Sequence, residues 1–410
     1  MSASGAISTA PMSLRDEGLP PPLPHASSSH PSQQFAAPSH FGSHPTQIAR
    51  YSRGSGAPPQ LLNEAVFAHA NPATQGSVDM KSTAVVLATL LSSSTVATAK
   101  PVKLPYAYYR VGASTDKVTE TTPGVVLMGG STDVDAAFEW LCSLGGNGDF
   151  LVIRAAGTDA YNSYIQGLCP NANSVATLII PDTAAAIHAD VATIMSQAEV
   201  IWIAGGDQSD YVLQWTGTPV QDILQDRIGA GIPVGGTSAG LNVLTPFVYS
   251  AETSQGVTSR EALDDPYNRQ VTLVRDFVSL PVLANTLGDP HFMERDRVGR
   301  DLAFMCRVYK NGWSARPRGI EVDEQTALLI EADGSSYVVG SGFVYFMETL
   351  GAPEVCAPKT PLTYRNVDIY RIDATGGFDL PTWQGSGGSA YKISAVLGVL
   401  SSTQAGGSVY

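Results

Sequence analysis

Short unbroken apolar runs recur along the middle of this chain, and each ends in glycine or another turn-forming residue. Val125–Met128 runs into Gly129-Gly130, Val200–Ala204 into Gly205-Gly206, and Ile232–Val234 into Gly235-Gly236. Phe150–Arg154 and Val175–Ile180 are two more such runs. Between them lie stretches with helical spacing: Val134–Leu144, Thr183–Ala198, Asp207–Gln214 and Val220–Ile228. Continuous apolar strands alternating with helices predict a parallel sheet covered on both faces. Such sheets bind ligands beyond the carboxyl ends of their strands, where the glycines stand. A further helical stretch runs from Asp296 to Tyr309. Gly319–Val322, Ala327–Glu331, Tyr337–Gly340 and Val344–Met347 then predict an antiparallel or mixed strand extension, and the Gly/Ser-rich residues 374–410 predict edge or tail structure.

The first 79 residues have neither period. They hold 11 of the 27 prolines and five of the seven histidines (His25, His30, His40, His44 and His69). This composition predicts a disordered extension, because so little apolar surface cannot offset the entropy of ordering. Residues 80–99 change character. Lys81, the apolar Ala84–Leu91 and the small residues Ala97-Thr98-Ala99 have the three parts of a secretory signal peptide. Cleavage after Ala99 predicts a secreted protein beginning at Lys100, with residues 100–410 as one α/β domain. All four cysteines follow that site, and an oxidising compartment allows two disulfides. Chain proximity pairs Cys142 with Cys169 and Cys306 with Cys356.

A net charge of −13 argues against nucleic acid and against an anionic membrane surface as partners. No apolar run reaches the length of a membrane span. No spacing of cysteine and histidine suits a metal, and no cofactor is expected.

Gly236-Thr237-Ser238-Ala239-Gly240 is a G-x-S-x-G sequence between an apolar strand and a helical segment. That context predicts a nucleophile elbow presenting Ser238, with the Ala239 N–H facing a developing oxyanion. Gly205 and Gly206 are the candidate second oxyanion donors. Only His188 and His291 follow Ala99. His188 lies in a helical stretch and His291 in a loop-like run, Gly288-Asp289-Pro290-His291-Phe292, which makes His291 the better base. The carboxylate that would orient it is open between Glu324, Asp289, Glu252 and Glu261.

Four pieces together resemble the cyanophycinase-like serine peptidases, the family that includes the α-aspartyl dipeptidases. They are Gly205-Gly206-Asp207-Gln208, the Ser238 elbow, Asp289-Pro290-His291-Phe292 with Arg295, Arg297 and Arg300, and Gly319–Ala327 containing Glu324. The resemblance covers roughly residues 124–350. It implies a flavodoxin-like three-layer sandwich related to class I glutamine amidotransferases, with a mainly parallel sheet and a C-terminal strand extension. It also implies a triad of Ser238, His291 and Glu324, acting on a small peptide substrate, aspartyl or isoaspartyl. Gln208, Asp289, Arg295, Arg297 and Arg300 match residues placed around the substrate. Pro290 stands where cyanophycinases carry a glutamine, which predicts weak cleavage of cyanophycin. A catalytically silent secreted binding protein on the same fold is the opposing reading, and a homodimer is left open.

Overall fold

The computed structural model describes residues 103–253 and 255–410. The expected extension (1–79) and signal peptide (80–99) lie outside the described residues. The chain begins with β1 (Ala107–Gly112), β2 (Gly124–Met128), α1 (Asp135–Leu144), β3 (Asp149–Arg154), α2 (Ala160–Leu168) and β4 (Ser174–Ile179). Next come α3 (Thr183–Ala186), α4 (Ala189–Ser196), β5 (Val200–Ile203), α5 (Gln208–Trp215), α6 (Pro219–Gly229), β6 (Val234–Thr237) and α7 (Ala239–Leu244). A middle stretch holds β7 (Phe247–Tyr249), α8 (Ser259–Asp264), β8 (Leu273–Arg275), β9 (Thr286–Pro290), α9 (Val298–Lys310) and β10 (Arg318–Val322). Strands dominate the rest: β11 (Thr326–Glu331), β12 (Ser335–Gly340), β13 (Val344–Glu348), β14 (Tyr364–Ile372), β15 (Gly377–Asp379), β16 (Gln384–Ser386), β17 (Ser389–Val396) and β18 (Val399–Ser402).

Two sheets result. The first has the order β1-β4-β3-β5-β6-β2-β11-β12-β15-β16, the second β18-β17-β14-β13-β10-β9-β7-β8. In the first, β4, β3, β5, β6 and β2 are parallel. The order β4-β3-β5-β6 follows the 2-1-3-4 start of flavodoxin-like sheets. The expectation of a mainly parallel sheet needs correction. β1, β11, β12, β15 and β16 pair antiparallel, and in the second sheet only the pairings of β9 with β10 and with β7 are parallel. The cause is connection length. From β11 onward no helix intervenes, and short connections bring a strand back beside its predecessor only in the opposite sense.

Burial explains the unbroken apolar runs. In β2, Val126 and Met128 face α1 and α2 while Val125 and Leu127 face the core on the other side. That second core lies between the first sheet and the second, sharing Leu127 and Ile203 with Val322 and Phe346. The outer face of the second sheet packs Tyr345 and Met347 with Leu302 and Phe304 of α9.

Three local expectations also change. The helix expected over Thr183–Ala198 is two, and the His188 side chain caps the second by accepting the Asp190 N–H. The run before His291 is not a loop: Thr286–Pro290 is the buried strand β9, whose glycine and proline hid it. Within 374–410, β17 is an interior strand between β14 and β18, not an edge.

Cys142 pairs with Cys169 and Cys306 with Cys356, each with Cα atoms 6.3 Å apart. The second bridge ties α9 to the segment before β14, closing a separation of 50 residues. Replacing Cys306 and Cys356 together by alanine is expected to cost about 2–4 kcal/mol of stability. The midpoint of urea unfolding checks this, and an unchanged midpoint would contradict it.

Candidate active site

Ser238 follows β6 with φ 54° and ψ −116°, a conformation that side chains rarely adopt. Its flanking glycines are sterically required. A Cβ on Gly236 would lie 2.5 Å from the Gly240 carbonyl carbon, and one on Gly240 would lie 2.0 Å from the Ile203 oxygen. The tight turn lifts the half-buried serine out of the end of the sheet.

His291 belongs to the other sheet. It follows β9 directly, is buried, and its Nε2 lies 2.8 Å from Ser238 Oγ. Its Nδ1 lies 2.6 Å from Glu324 Oε1. Glu324 stands in the short crossing from β10 of the second sheet to β11 of the first. The loop after β2 holds these pieces together. Gly129 O accepts the His291 N–H at 2.9 Å and Gly130 O accepts the Gln325 N–H at 3.0 Å. A Cβ on Gly130 would lie 2.4 Å from the His291 ring, and one on Gly129 would lie 1.9 Å from the Asp323 oxygen.

Asp323 reinforces the crossing. Its buried carboxylate accepts the Met293 N–H at 3.0 Å and the Phe343 N–H at 3.1 Å. Burial pushes its pKa up to about 6, against the lowering effect of those two bonds.

Below His291 sits a buried charge cluster. Asp289 is fully buried and binds Arg300, through Nε at 2.6 Å and through NH2, and Arg297 NH1 at 2.9 Å. The Asp301 and Glu321 carboxyls lie against one another nearby. Burial first, then neighbouring carboxylates, holds both well above the usual range. One shared proton would satisfy oxygens that have no other partner among the described residues. Asp289, Arg297 and Arg300, expected around the substrate, are thus bound to one another beneath His291. These residues fix β9 and α9 from beneath, and none lines the cleft.

The cleft over Ser238 has a volume of about 330 Å³. Gly130, Asp133, Arg154, Gly205, His291 and Arg295 contribute to its walls. Of the expected substrate contacts only Arg295 is here, with Nε 3.8 Å from Glu324 Oε1. Gln208 lies outside, donating to the Tyr249 carbonyl at 3.1 Å. Pro290 is buried within β9 and is not among the residues that line the cleft. Gly205 lies beside Ser238, and neither its N–H nor that of Ala239 has an acceptor among the described residues. Gly206 is exposed and packs toward Tyr211.

Sequence reasoning pointed to the Gly129-Gly130 strand end but missed Ser131, Asp133, Arg154 and Tyr161. The signal was present for Arg154, which ends a parallel strand on the ligand-binding side of the sheet. At the opposite end Asp116, Asp149 and Glu199 gather, with Arg110 paired to Asp149 at 2.8 Å.

Residues 177–338 match the family model described as "Peptidase family S51", and the match contains all of Ser238, His291 and Glu324. This stretch of the chain resembles peptidase family S51. Among similar proteins, a cyanophycinase of Trichormus variabilis is 26% identical over 187 residues, 44% of this chain and 56% of that protein. A cyanophycinase of Synechococcus elongatus is 28% identical over 174 residues, 42% and 48% of the two. The chain thus spans about half the length of the curated relatives it matches. Among solved structures, a peptidase from an acI-B1 Actinobacterium has 17% identity and a TM-score of 0.41, covering 57% of this chain and 96% of that one.

Burial pushes the His291 imidazole down to about 4; the Glu324 hydrogen bond pulls it up, and Arg295 and Arg297 push it further down. The unfolded chain takes up this proton near pH 6.5 and the folded one only near 4. The resulting stability is present above pH 6.5 and is lost as pH falls through the folded value. NMR titration of His291 is expected to give a midpoint near 4, rising in Arg295→Ala. A midpoint at or above 6.5 would show the burial argument to be wrong.

Proposed function

We propose that this chain is a serine-type peptidase that hydrolyses an amide bond of small peptides through an acyl-enzyme. The observation that carries the reading is the contact series Ser238 Oγ, His291 Nε2, His291 Nδ1, Glu324 Oε1 on a strained elbow. Ser238 attacks the carbonyl carbon while His291 takes the serine proton. The oxyanion meets the free N–H groups of Ala239 and Gly205. His291 then protonates the leaving amine, and water, deprotonated by His291, releases the acyl group. Glu324 holds the imidazole in the required tautomer and stabilises its cation; His291 in turn holds the Glu324 carboxyl below its usual range despite the opposing effect of burial.

Aspartyl or isoaspartyl peptides are the proposed substrates. The similarity of residues 177–338 to family S51 supports this, as does the pair Arg154 and Arg295 in the cleft, which favours a negatively charged group near Ser238. A serine rather than a cysteine at the elbow supports hydrolysis over amidotransfer, whatever the kinship with class I glutamine amidotransferases.

We also propose that the protein is exported. The signal-peptide pattern at 80–99 and the two disulfides support this. N-terminal sequencing of material recovered from the medium is expected to begin at or near Lys100. An intact chain starting at Met1 in the cytosol would be the opposite outcome.

With a panel of aspartyl and isoaspartyl dipeptides, Ser238→Ala is expected to abolish turnover and His291→Ala to be nearly as damaging. Glu324→Gln should do less harm than either. Such losses are on the order of 10³–10⁶ in rate. His188→Ala, at a helix cap outside the cleft, should stay within a few-fold of the parent. A serine-directed fluorophosphonate should label the parent at Ser238. An unlabelled parent with no turnover would leave the silent binding protein as the better account.

A further inference from the structure

A larger cavity lies away from the cleft. Its volume is about 690 Å³, within the roughly 300–1,000 Å³ of small-molecule sites. Every residue lining it follows residue 338, where the family match ends, and it shares none with the cleft over Ser238. It opens where the core between the two sheets ends, at Phe346, Phe378 and Trp383.

The floor is a row of side chains across neighbouring strands of the second sheet. Arg318 on β10 pairs in register with Glu348 on β13, Glu348 with Asp368 on β14, and Asp368 with Lys392 on β17. Two carboxylates directly opposite one another destabilise a sheet unless cations compensate. Here they do. Arg318 Nε lies 2.9 Å from Glu348 Oε1, Arg316 NH2 lies 3.0 Å from Glu348 Oε2, and Lys392 pairs with Asp368.

The wall is aromatic and held in place. Trp383 meets Phe378 edge-on at 5.1 Å and Phe346 at 5.9 Å, and the Arg318 guanidinium lies 4.3 Å from its ring centre. The half-exposed indole is oriented before any ligand arrives, which lowers the entropic cost of binding. Its N–H has no acceptor among the described residues. Gln384 beside it is exposed and free to pair with a ligand.

These features select a chemistry. An ion would have to displace a partner that each charge already has. A purely apolar ligand would strip water from the charged floor without replacing its hydrogen bonds. A neutral ligand with one apolar face and many hydroxyls meets both surfaces. Its C–H face packs on the aromatic wall, and its hydroxyls donate to Glu348 and Asp368 and accept from Lys392 and Gln384. Pyranose sugars have that form. We infer that the cavity between Trp383 and the Glu348–Asp368–Lys392 row is a binding site for a neutral oligosaccharide, separate from the hydrolytic cleft.

Calorimetric titration of the full chain with cellohexaose, chitohexaose and an anionic galacturonate hexamer tests this. Saturable binding of at least one neutral hexamer is expected, and none of the anionic one. Trp383→Ala should weaken that binding roughly tenfold or more. Gln384→Ala, an exposed change that leaves folding intact, should weaken it several-fold. Ser238→Ala should bind as the parent does. Absence of binding by both neutral hexamers overturns the inference, as does preference for the anionic one. Unchanged affinity in both Trp383→Ala and Gln384→Ala would do the same.

Discussion

Ser238 and His291 extend from different sheets, so the 2.8 Å contact between them exists only while the two sheets are locked at their ends. The lock is made of backbone. The loop after β2 accepts the N–H groups of His291 and Gln325 through Gly129 and Gly130, and Gly129 N–H donates to Thr326 O at 2.9 Å. Neither glycine leaves room for a side chain. Asp323 adds a second layer by joining the chain after His291 to the start of β13. Four residues at the junction, Ser131, Ser238, His291 and Gln325, have positive φ without being glycine. The surrounding packing holds this local strain in place.

The charge cluster under β9 serves the same end from below. Asp289 with Arg297 and Arg300 would be costly to bury singly, and removing one partner of such a group typically costs about 3–5 kcal/mol. Together they attach β9 to α9 directly beneath the histidine. The acidic pair Asp301 and Glu321 lies in the same interior and joins α9 to β10. Arg297 and Arg300 are thus engaged with Asp289, while Arg154 and Arg295 are the arginines that line the cleft.

The parallel strands were legible because both faces of each are buried, so Val125–Met128 and Val200–Ile203 read as unbroken apolar runs. Ser238 was legible because the elbow needs glycine at fixed offsets, and the geometry shows why. β9 was not, since Gly288, Asp289 and Pro290 are poor strand residues that only tertiary pairing with β10 makes extended. The wall of the cleft was hidden for a different reason. Asp133 follows β2, Arg154 ends β3 and Tyr161 begins α2, and nothing in local spacing brings Asp133 or Tyr161 to a serine far along the chain.

The position of β2 also bears on how the molecule assembles. Val125 pairs with Val234 on one side and Ile330 on the other, although β2 is the first of the parallel strands. Pairings so distant in sequence are slow to form, because the intervening chain must be ordered first. A nascent chain that has just passed β6 carries Ser238 but lacks His291 and Glu324. Ser238, His291 and Glu324 therefore come together only once the chain through β11 is in place beside β2.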